Sequence, residues 1–68
     1  MDIKIDSNYI KLDSFLKFAS LCYSGGEAKY AILNGEVDVN GKVCIQRGKK
    51  LFEGDTVSFL GEDYTIVK

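Results

Sequence analysis

The segment between Asn40 and Lys50 holds four cationic side chains and no acidic one. These side chains are Lys42, Arg47, Lys49 and Lys50. Lysine and arginine bind phosphate groups, lysine as a compact charge and arginine through a planar pair of donors. The grouping therefore indicates a local anion-binding surface.

The molecule as a whole is slightly acidic, with a formal net charge of −1 and an isoelectric point near 5.2. Between Glu53 and Asp63 the chain carries four acids and no base. At physiological salt the screening length is about 8 Å, so a ligand responds mainly to the charges beside it. The acidic total therefore does not exclude an anionic partner.

The residue types also exclude several kinds of chemistry. The chain has no histidine, and its two cysteines, Cys22 and Cys44, are far apart. A Cys/His zinc site, an imidazole base and a CxxC redox pair are thereby excluded. Two such cysteines are more often separate thiols than a disulfide. No nucleophile–base pair or phosphate-loop motif is present, so we expect a protein that is not an enzyme and uses no metal or cofactor.

The length and hydropathy pattern limit the architecture and the location. A chain of 68 residues has room for one small domain, which we expect to span residues 1–68. No apolar run approaches the roughly 18 residues that cross a bilayer. The first six residues alternate charged and apolar side chains and lack a signal-peptide core. We therefore expect a cytoplasmic protein with no membrane partner.

Helical spacing of apolar residues predicts a first helix over residues 12–21. Its buried face comprises Leu12, Phe15, Leu16 and Ala19, with Phe18 and Cys22 widening it. Ahead of this helix, Ile3 and Ile5 fit a short edge strand.

A second helix is predicted from Ser24 to Asn34, because both of its ends carry recognisable signals. Ser24 and Glu27 have the spacing of a capping box, with Tyr23 and Ala28 placed for a hydrophobic staple. The predicted inner face contains Ala28, Ala31 and Ile32, broadened by Leu33. Gly35 fits the left-handed position that ends a helix. The short link between the helices predicts a helical hairpin.

After Gly35 the apolar residues alternate, which predicts strands. A three-residue loop of Asn40, Gly41 and Lys42 would pair Val39 with Val43 and Val37 with Ile45, placing all four apolar side chains on one face. Further strands are predicted over residues 56–60 and 64–67. The expected fold class is α+β, with an N-terminal helical hairpin packed on a small antiparallel sheet.

Four sequence motifs in this order resemble the RNA-binding domain named after ribosomal protein S-four, also called the αL motif. They are KLDSFLK at residues 11–17, SGGEAK at 24–29, GEVDVNGK at 35–42 and KLFEGDTV at 50–57. The resemblance covers a core motif of about residues 10–60. The SGGEAK motif and the later RGKKL are most similar to the small stand-alone, YaaA-like branch of the family.

This resemblance implies a non-catalytic module that docks on structured RNA, in ribosome assembly or translation. The implied partners are ribosomal RNA, with transfer RNA as an alternative, and the ribosome or a pre-ribosomal particle. The family's contacts, carried over by position, fall on Lys11, Lys17, Lys29, Asn40, Gly41, Lys42, Gln46, Arg47, Lys49 and Lys50. Gly25 and Gly26 join this set on physical grounds, because they leave the amides of a helix N-terminus uncovered for a phosphate oxygen.

Other interpretations remain open for several of these residues and for the function. Gly25 and Gly26 are also typical of helix-entry geometry, and Asn40-Gly41 is typical of a turn. Tyr23 and Tyr30 are assigned to core or rim packing, so we expect recognition of RNA shape rather than base stacking. The alternative function is a protein-interaction module or a ubiquitin-like carrier without RNA binding. A carrier is disfavoured by the early helices and by the absence of a Gly-Gly tail.

Overall fold

The computed structural model describes residues 1–68 and contains two helices and seven short strands. The helices are α1 (Leu12–Phe18) and α2 (Gly25–Leu33). The strands are β1 (Asp2–Lys4), β2 (Ile10–Lys11), β3 (Val37–Val39), β4 (Lys42–Val43), β5 (Lys50–Leu51), β6 (Thr56–Phe59) and β7 (Glu62–Val67). The α+β class is as expected, although β1 precedes the helical hairpin. Neither helix is long and apolar enough to cross a membrane.

The strands form two sheets. Five strands pair in the order β1-β7-β6-β3-β4, and β2 pairs with β5 in a separate two-stranded ribbon. The expectation of a purely antiparallel sheet is wrong, because β1 runs parallel to β7. This pairing joins the two ends of the chain, Ile3 lying opposite Ile66, and no local pattern could reveal it.

The helices and both sheets share one core. All fourteen buried residues are apolar, and no buried side-chain polar atom lacks a hydrogen-bond partner. The core consists of Ile5, Leu12, Phe15, Leu16, Cys22, Ala28, Ala31, Ile32, Val37, Val39, Leu51, Val57, Phe59 and Ile66.

Helix α1 ends earlier than the sequence predicts. Its last helical residue is Phe18, and Ser20 adopts the left-handed conformation at φ 61°. The amides of Ser20 and Leu21 donate to the carbonyls of Lys17 and Leu16, at 3.0 and 2.8 Å, which closes the last turn. Because the chain reverses here, Phe18 is 57% exposed instead of widening the buried face, whereas Cys22 reaches the core from the following segment.

At the start of α2, one of the two hydrogen bonds of the predicted capping box is present. The Ser24 hydroxyl accepts from the Glu27 amide at 3.2 Å. The Glu27 carboxylate, however, accepts from the Tyr23 amide rather than from the Ser24 amide. Tyr23 is 97% exposed, so the predicted hydrophobic staple is absent.

The end of α2 matches its signal. Gly35 has φ 77°, and its amide donates to the Ile32 carbonyl. The Glu36 amide donates to the Ala31 carbonyl, which completes a Schellman motif. Leu33 lies on the exposed side and does not broaden the buried face.

The hairpin after α2 has a two-residue turn instead of the predicted three-residue loop. Val39 pairs with Lys42, and Asp38 pairs with Val43. Asn40 and Gly41 both have positive φ, 53° and 84°, as a type I′ turn requires. Val43 therefore faces away from the core and is 60% exposed. Ile45 is exposed to a similar extent.

The register can be tested with matched substitutions at Val39 and Val43. We expect Val39→Thr to lower the free energy of unfolding by about 1–2 kcal/mol, because it buries a hydroxyl. Val43→Thr should change it by less than about 0.5 kcal/mol, because the site is exposed. Urea denaturation of both variants measures the difference, and equal losses would contradict the two-residue turn.

A second type I′ turn joins β6 to β7 and contains a residue poorly suited to it. Leu60 has φ 53° and is 78% exposed. Leucine in the left-handed region costs roughly 1–2 kcal/mol, and asparagine adopts this region more readily. We expect Leu60→Asn to raise the free energy of unfolding by about 1 kcal/mol. Leu60→Ala keeps the Cβ strain and should bring no such gain, so a gain of equal size in both variants would rule out this explanation.

Candidate functional site

The basic loop, defined as residues 46–49, is attached to the N-terminus of α1 through its backbone. The Leu12 amide donates to the Lys49 carbonyl at 2.8 Å, and the Asp13 amide donates to the Arg47 carbonyl at 3.0 Å. The N-cap residue, Lys11, provides no side-chain acceptor. The loop therefore satisfies the helix with its carbonyls, while the Arg47 and Lys49 side chains remain exposed.

The β2–β5 ribbon places two more cations beside this loop. Lys11 and Lys50 are register partners, and both are exposed. Their neighbours in the ribbon point inward, since Leu51 is fully buried and Ile10 is partly buried. The positive charges of Lys11 and Lys50 repel each other, because the two residues lie directly opposite in the ribbon. An anion bound between them would relieve this repulsion and would be attracted by both side chains.

Strand β4 and the basic loop enclose an open concavity of about 330 Å³. Its polar lining comes from Asn40, Lys42, Gln46 and Lys49, and its apolar lining includes Val43 and Ile45. Lys42 lies directly after the hairpin turn, and Lys49 lies beside α1. The concavity therefore joins the cations of the hairpin to those of the loop.

Seven of the twelve predicted contact residues thus form one continuous surface, here named the basic surface. They are Lys11, Asn40, Lys42, Gln46, Arg47, Lys49 and Lys50. The acids at the start of β7 lie three strands away from β4, about 14 Å at the usual strand spacing. This distance exceeds the screening length of about 8 Å, so those acids do not cancel the positive charge of Lys42 on β4.

Asn40 and Gly41 have a structural role, because they form the hairpin turn. The Asn40 side chain accepts from the Thr56 amide at 3.0 Å and donates to the Asp55 carboxylate at 3.1 Å. The same carboxylate accepts from the Phe52 amide at 2.8 Å. Asn40 therefore ties the turn to the segment after β5, and its side chain is occupied within the protein.

The remaining predicted residues lie outside the basic surface. Lys17 lines a separate shallow concavity of about 400 Å³ with Ile10, Ser14 and Phe18. Lys29 is exposed on α2 and shares neither concavity.

The entrance of α2 is open, because a Cβ built on Gly25 would meet no atom within 4 Å, and one on Gly26 would meet only the Ser24 hydroxyl at 3.9 Å. The Glu27 carboxylate also lies at this entrance, on the Tyr23 amide, and its negative charge competes with any bound anion.

Sequence reasoning missed the exposed aromatic side chains. Five of the eight aromatic residues are exposed, and the assignment of Tyr23 and Tyr30 to packing is wrong. The five are Tyr9, Phe18, Tyr23, Tyr30 and Phe52. Two of them could have been found, because Tyr9 precedes Lys11 by two residues and Phe52 follows Lys50 by two. In a ribbon this spacing places them on the same outer face as the lysines.

Comparison with known proteins places this architecture in a family. The family model described as the S4 domain matches residues 3–67. The chain belongs to the S4 domain family. Among relatives of this S4 domain, the "Probable ribosome maturation protein RlbA" of Bacillus subtilis is 44% identical over 59 residues, which cover 87% of this chain and 83% of RlbA.

Solved structures give the same family and fold. YbcJ from Escherichia coli has a TM-score of 0.73 and 32% identity, over 98% of this S4 domain and 86% of YbcJ. Its solution structure is described as revealing an αL motif involved in RNA binding. The 30S ribosomal protein S4e from Thermoplasma acidophilum shares the fold, with a TM-score of 0.66 at 22% identity, over 88% of this chain and 32% of S4e.

Both cysteines are free thiols, but they should differ in reactivity. Cys44 lines the open concavity, whereas Cys22 is buried. Burial raises the pKa of the Cys22 thiol, and the nearby Glu27 carboxylate raises it further. Less Cys22 thiolate is therefore present at a given pH, and the thiolate is the reacting form. At pH 8 we expect iodoacetamide to modify Cys44 several-fold faster than Cys22, as read by peptide mass spectrometry.

The matched control for this prediction is the same reaction in urea, where both thiols should react alike. Equal rates in the folded protein would show that Cys22 is not protected.

Proposed function

We propose that this S4 domain is a non-catalytic RNA-binding protein that docks on structured RNA. Its proposed target is ribosomal RNA in a ribosomal or pre-ribosomal particle, with transfer RNA as the alternative. In this proposal it acts in the cytoplasm, in ribosome assembly or translation. The support comes from the basic surface and from the relatives, one named for RNA binding and one for ribosome maturation.

The observation that carries the proposal is the convergence of cations from three separate segments. β2 contributes Lys11, β4 contributes Lys42, and the basic loop with β5 contributes Arg47, Lys49 and Lys50. Such a surface, free of buried charges and of histidine, suits the electrostatic binding of a phosphate backbone.

The composition of the basic surface favours recognition of RNA shape over recognition of a linear sequence. Arg47 is the single arginine of the chain, so bidentate readout of guanine has one candidate at most. The deep major groove of an RNA helix is inaccessible to side chains, and proteins contact paired RNA through its backbone. Lysines distributed over two sides of a concavity fit that kind of contact.

The identity of the RNA can be established by ultraviolet crosslinking in cells followed by sequencing of the attached RNA. We expect recovery of one region of ribosomal RNA. Recovery of transfer RNA would select the alternative target, and recovery of protein without RNA would overturn the proposal.

A protein-interaction module is the second candidate function. The observation that favours it is the exposure of Val43 and Ile45 beside the edge strand β4, because exposed apolar groups mark protein contacts. A stable protein partner recovered in the absence of RNA would support this candidate. The alternative of a ubiquitin-like carrier is not pursued, because the chain belongs to the S4 domain family.

The role of the basic loop can be tested with the double variant Arg47→Ala/Lys49→Ala. Its fold should persist, because α1 uses the carbonyls of these residues and not their side chains. Each lost phosphate contact should reduce the slope of log affinity against log salt by about 1, so we expect a reduction of about 2. Fluorescence anisotropy with a structured RNA at several salt concentrations measures the slope.

The matched control is Lys4→Ala/Lys68→Ala, which removes two cations at the β1–β7 edge of the sheet, opposite β4. Its salt slope should stay near that of the unmodified protein. Equal reductions in both double variants would mean that net charge, rather than the basic loop, governs binding.

A further inference from the structure

Tyr9 and Phe52 form an exposed aromatic pair on the outer face of the β2–β5 ribbon. Tyr9 immediately precedes β2 and Phe52 immediately follows β5, so the antiparallel register places them opposite each other. Their ring centroids are 6.0 Å apart, with the planes inclined at 47°. The side chains are 38% and 48% exposed, so the pair presents apolar surface to solvent.

Both residues are held by hydrogen bonds to their backbone. The Phe52 amide donates to Asp55, whose other carboxylate oxygen accepts from Asn40. The Ser7 hydroxyl donates to the Tyr9 carbonyl at 2.7 Å. The pair is therefore anchored to the hairpin turn on one side and to the segment before β2 on the other. The contact between the two rings restricts their rotation, so a planar ligand that stacks on them removes little further side-chain entropy.

The aromatic pair is continuous with the basic surface. The Lys50 ammonium lies 4.8 Å from the centre of the Tyr9 ring, and Lys11 lies opposite Lys50 in the ribbon. A nucleotide joins an apolar planar base to an anionic phosphate, and this surface offers aromatic rings with cations alongside. The two halves of one nucleotide therefore have complementary partners here.

We infer that Tyr9 and Phe52 form a stacking platform for one unpaired base of the bound RNA, while the basic surface holds the adjoining phosphates. This inference rests on the proposed RNA-binding function and specifies its target: paired RNA that carries an unpaired nucleotide. The Lys50 ammonium covers one face of the Tyr9 ring, so the base stacks on the exposed side of the Phe52 ring. Insertion between the rings is excluded, because it requires parallel planes about 7 Å apart, twice the contact distance of about 3.5 Å.

The experiment compares two RNA duplexes that differ by one bulged nucleotide, 2-aminopurine, present in one and absent from the other. We expect the protein to bind the bulged duplex about tenfold more tightly, the usual scale of one base–aromatic stack. The fluorescence of 2-aminopurine should fall on binding, because stacking quenches it. The variant Tyr9→Leu/Phe52→Leu should bind both duplexes with the lower affinity and an unchanged salt slope.

Two controls separate stacking from a general loss of structure. Tyr23→Leu/Tyr30→Leu removes two exposed aromatic rings from outside the ribbon and should retain the preference for the bulge. Tyr9→Phe keeps the ring and should retain it as well. Thermal melting verifies that each variant is folded, and leucine preserves most of the apolar volume at both positions.

The outcomes distinguish this inference from the proposed function. Salt-dependent binding with equal affinity for the two duplexes would overturn the stacking platform and leave RNA binding intact. Loss of the preference in the Tyr23/Tyr30 control would also overturn it. Absence of binding to either duplex and to ribosomal RNA would overturn both proposals.

Discussion

The first-turn amides of α1 need acceptors, and the structure supplies them from the backbone of a distant loop. Lys11 occupies the N-cap but has no side-chain oxygen, so the carbonyls of Lys49 and Arg47 take that role. An unsatisfied amide at this position would be costly, because Leu12, the first residue of α1, is fully buried. This constraint holds the basic loop against the helix and brings β5 beside β2. It also turns the cationic side chains outward.

A slightly acidic molecule can present a basic surface because part of its acidic charge, at the start of β7, lies three strands away from β4. The cations gather around β4, the basic loop and the β2–β5 ribbon, whereas Glu62 and Asp63 begin β7. Asp55 lies nearer, but its carboxylate is occupied by Asn40 and by the Phe52 amide. That acid also has a structural role, since it fixes the hairpin turn and Phe52 relative to each other.

The sequence predicted the features that depend on neighbouring residues. Ser24 caps α2 and Gly35 ends it, because caps are formed by residues within one helical turn. The prediction of the hairpin register was wrong, because it relied on which residues the finished fold would bury. Alternation suggested that Val43 belongs to the core, but Asn40-Gly41 favours a two-residue turn, and β4 is an edge strand whose outer face has no covering layer. Local turn chemistry outweighed the hydrophobic pattern, and the exposed aromatic residues were misassigned by the same assumption that apolar means buried.

By itself, the sequence determined which residues carry the charge, where α2 starts and stops, and the membership of the S4 domain family. Only the tertiary structure decided that Lys11 lies opposite Lys50, that Tyr9 meets Phe52, and that Lys29 stands apart. The physical reason is the range of the interactions. Capping and turn formation depend on dihedral angles a few residues apart, whereas the neighbours of a surface side chain depend on how distant strands pair after the core has formed.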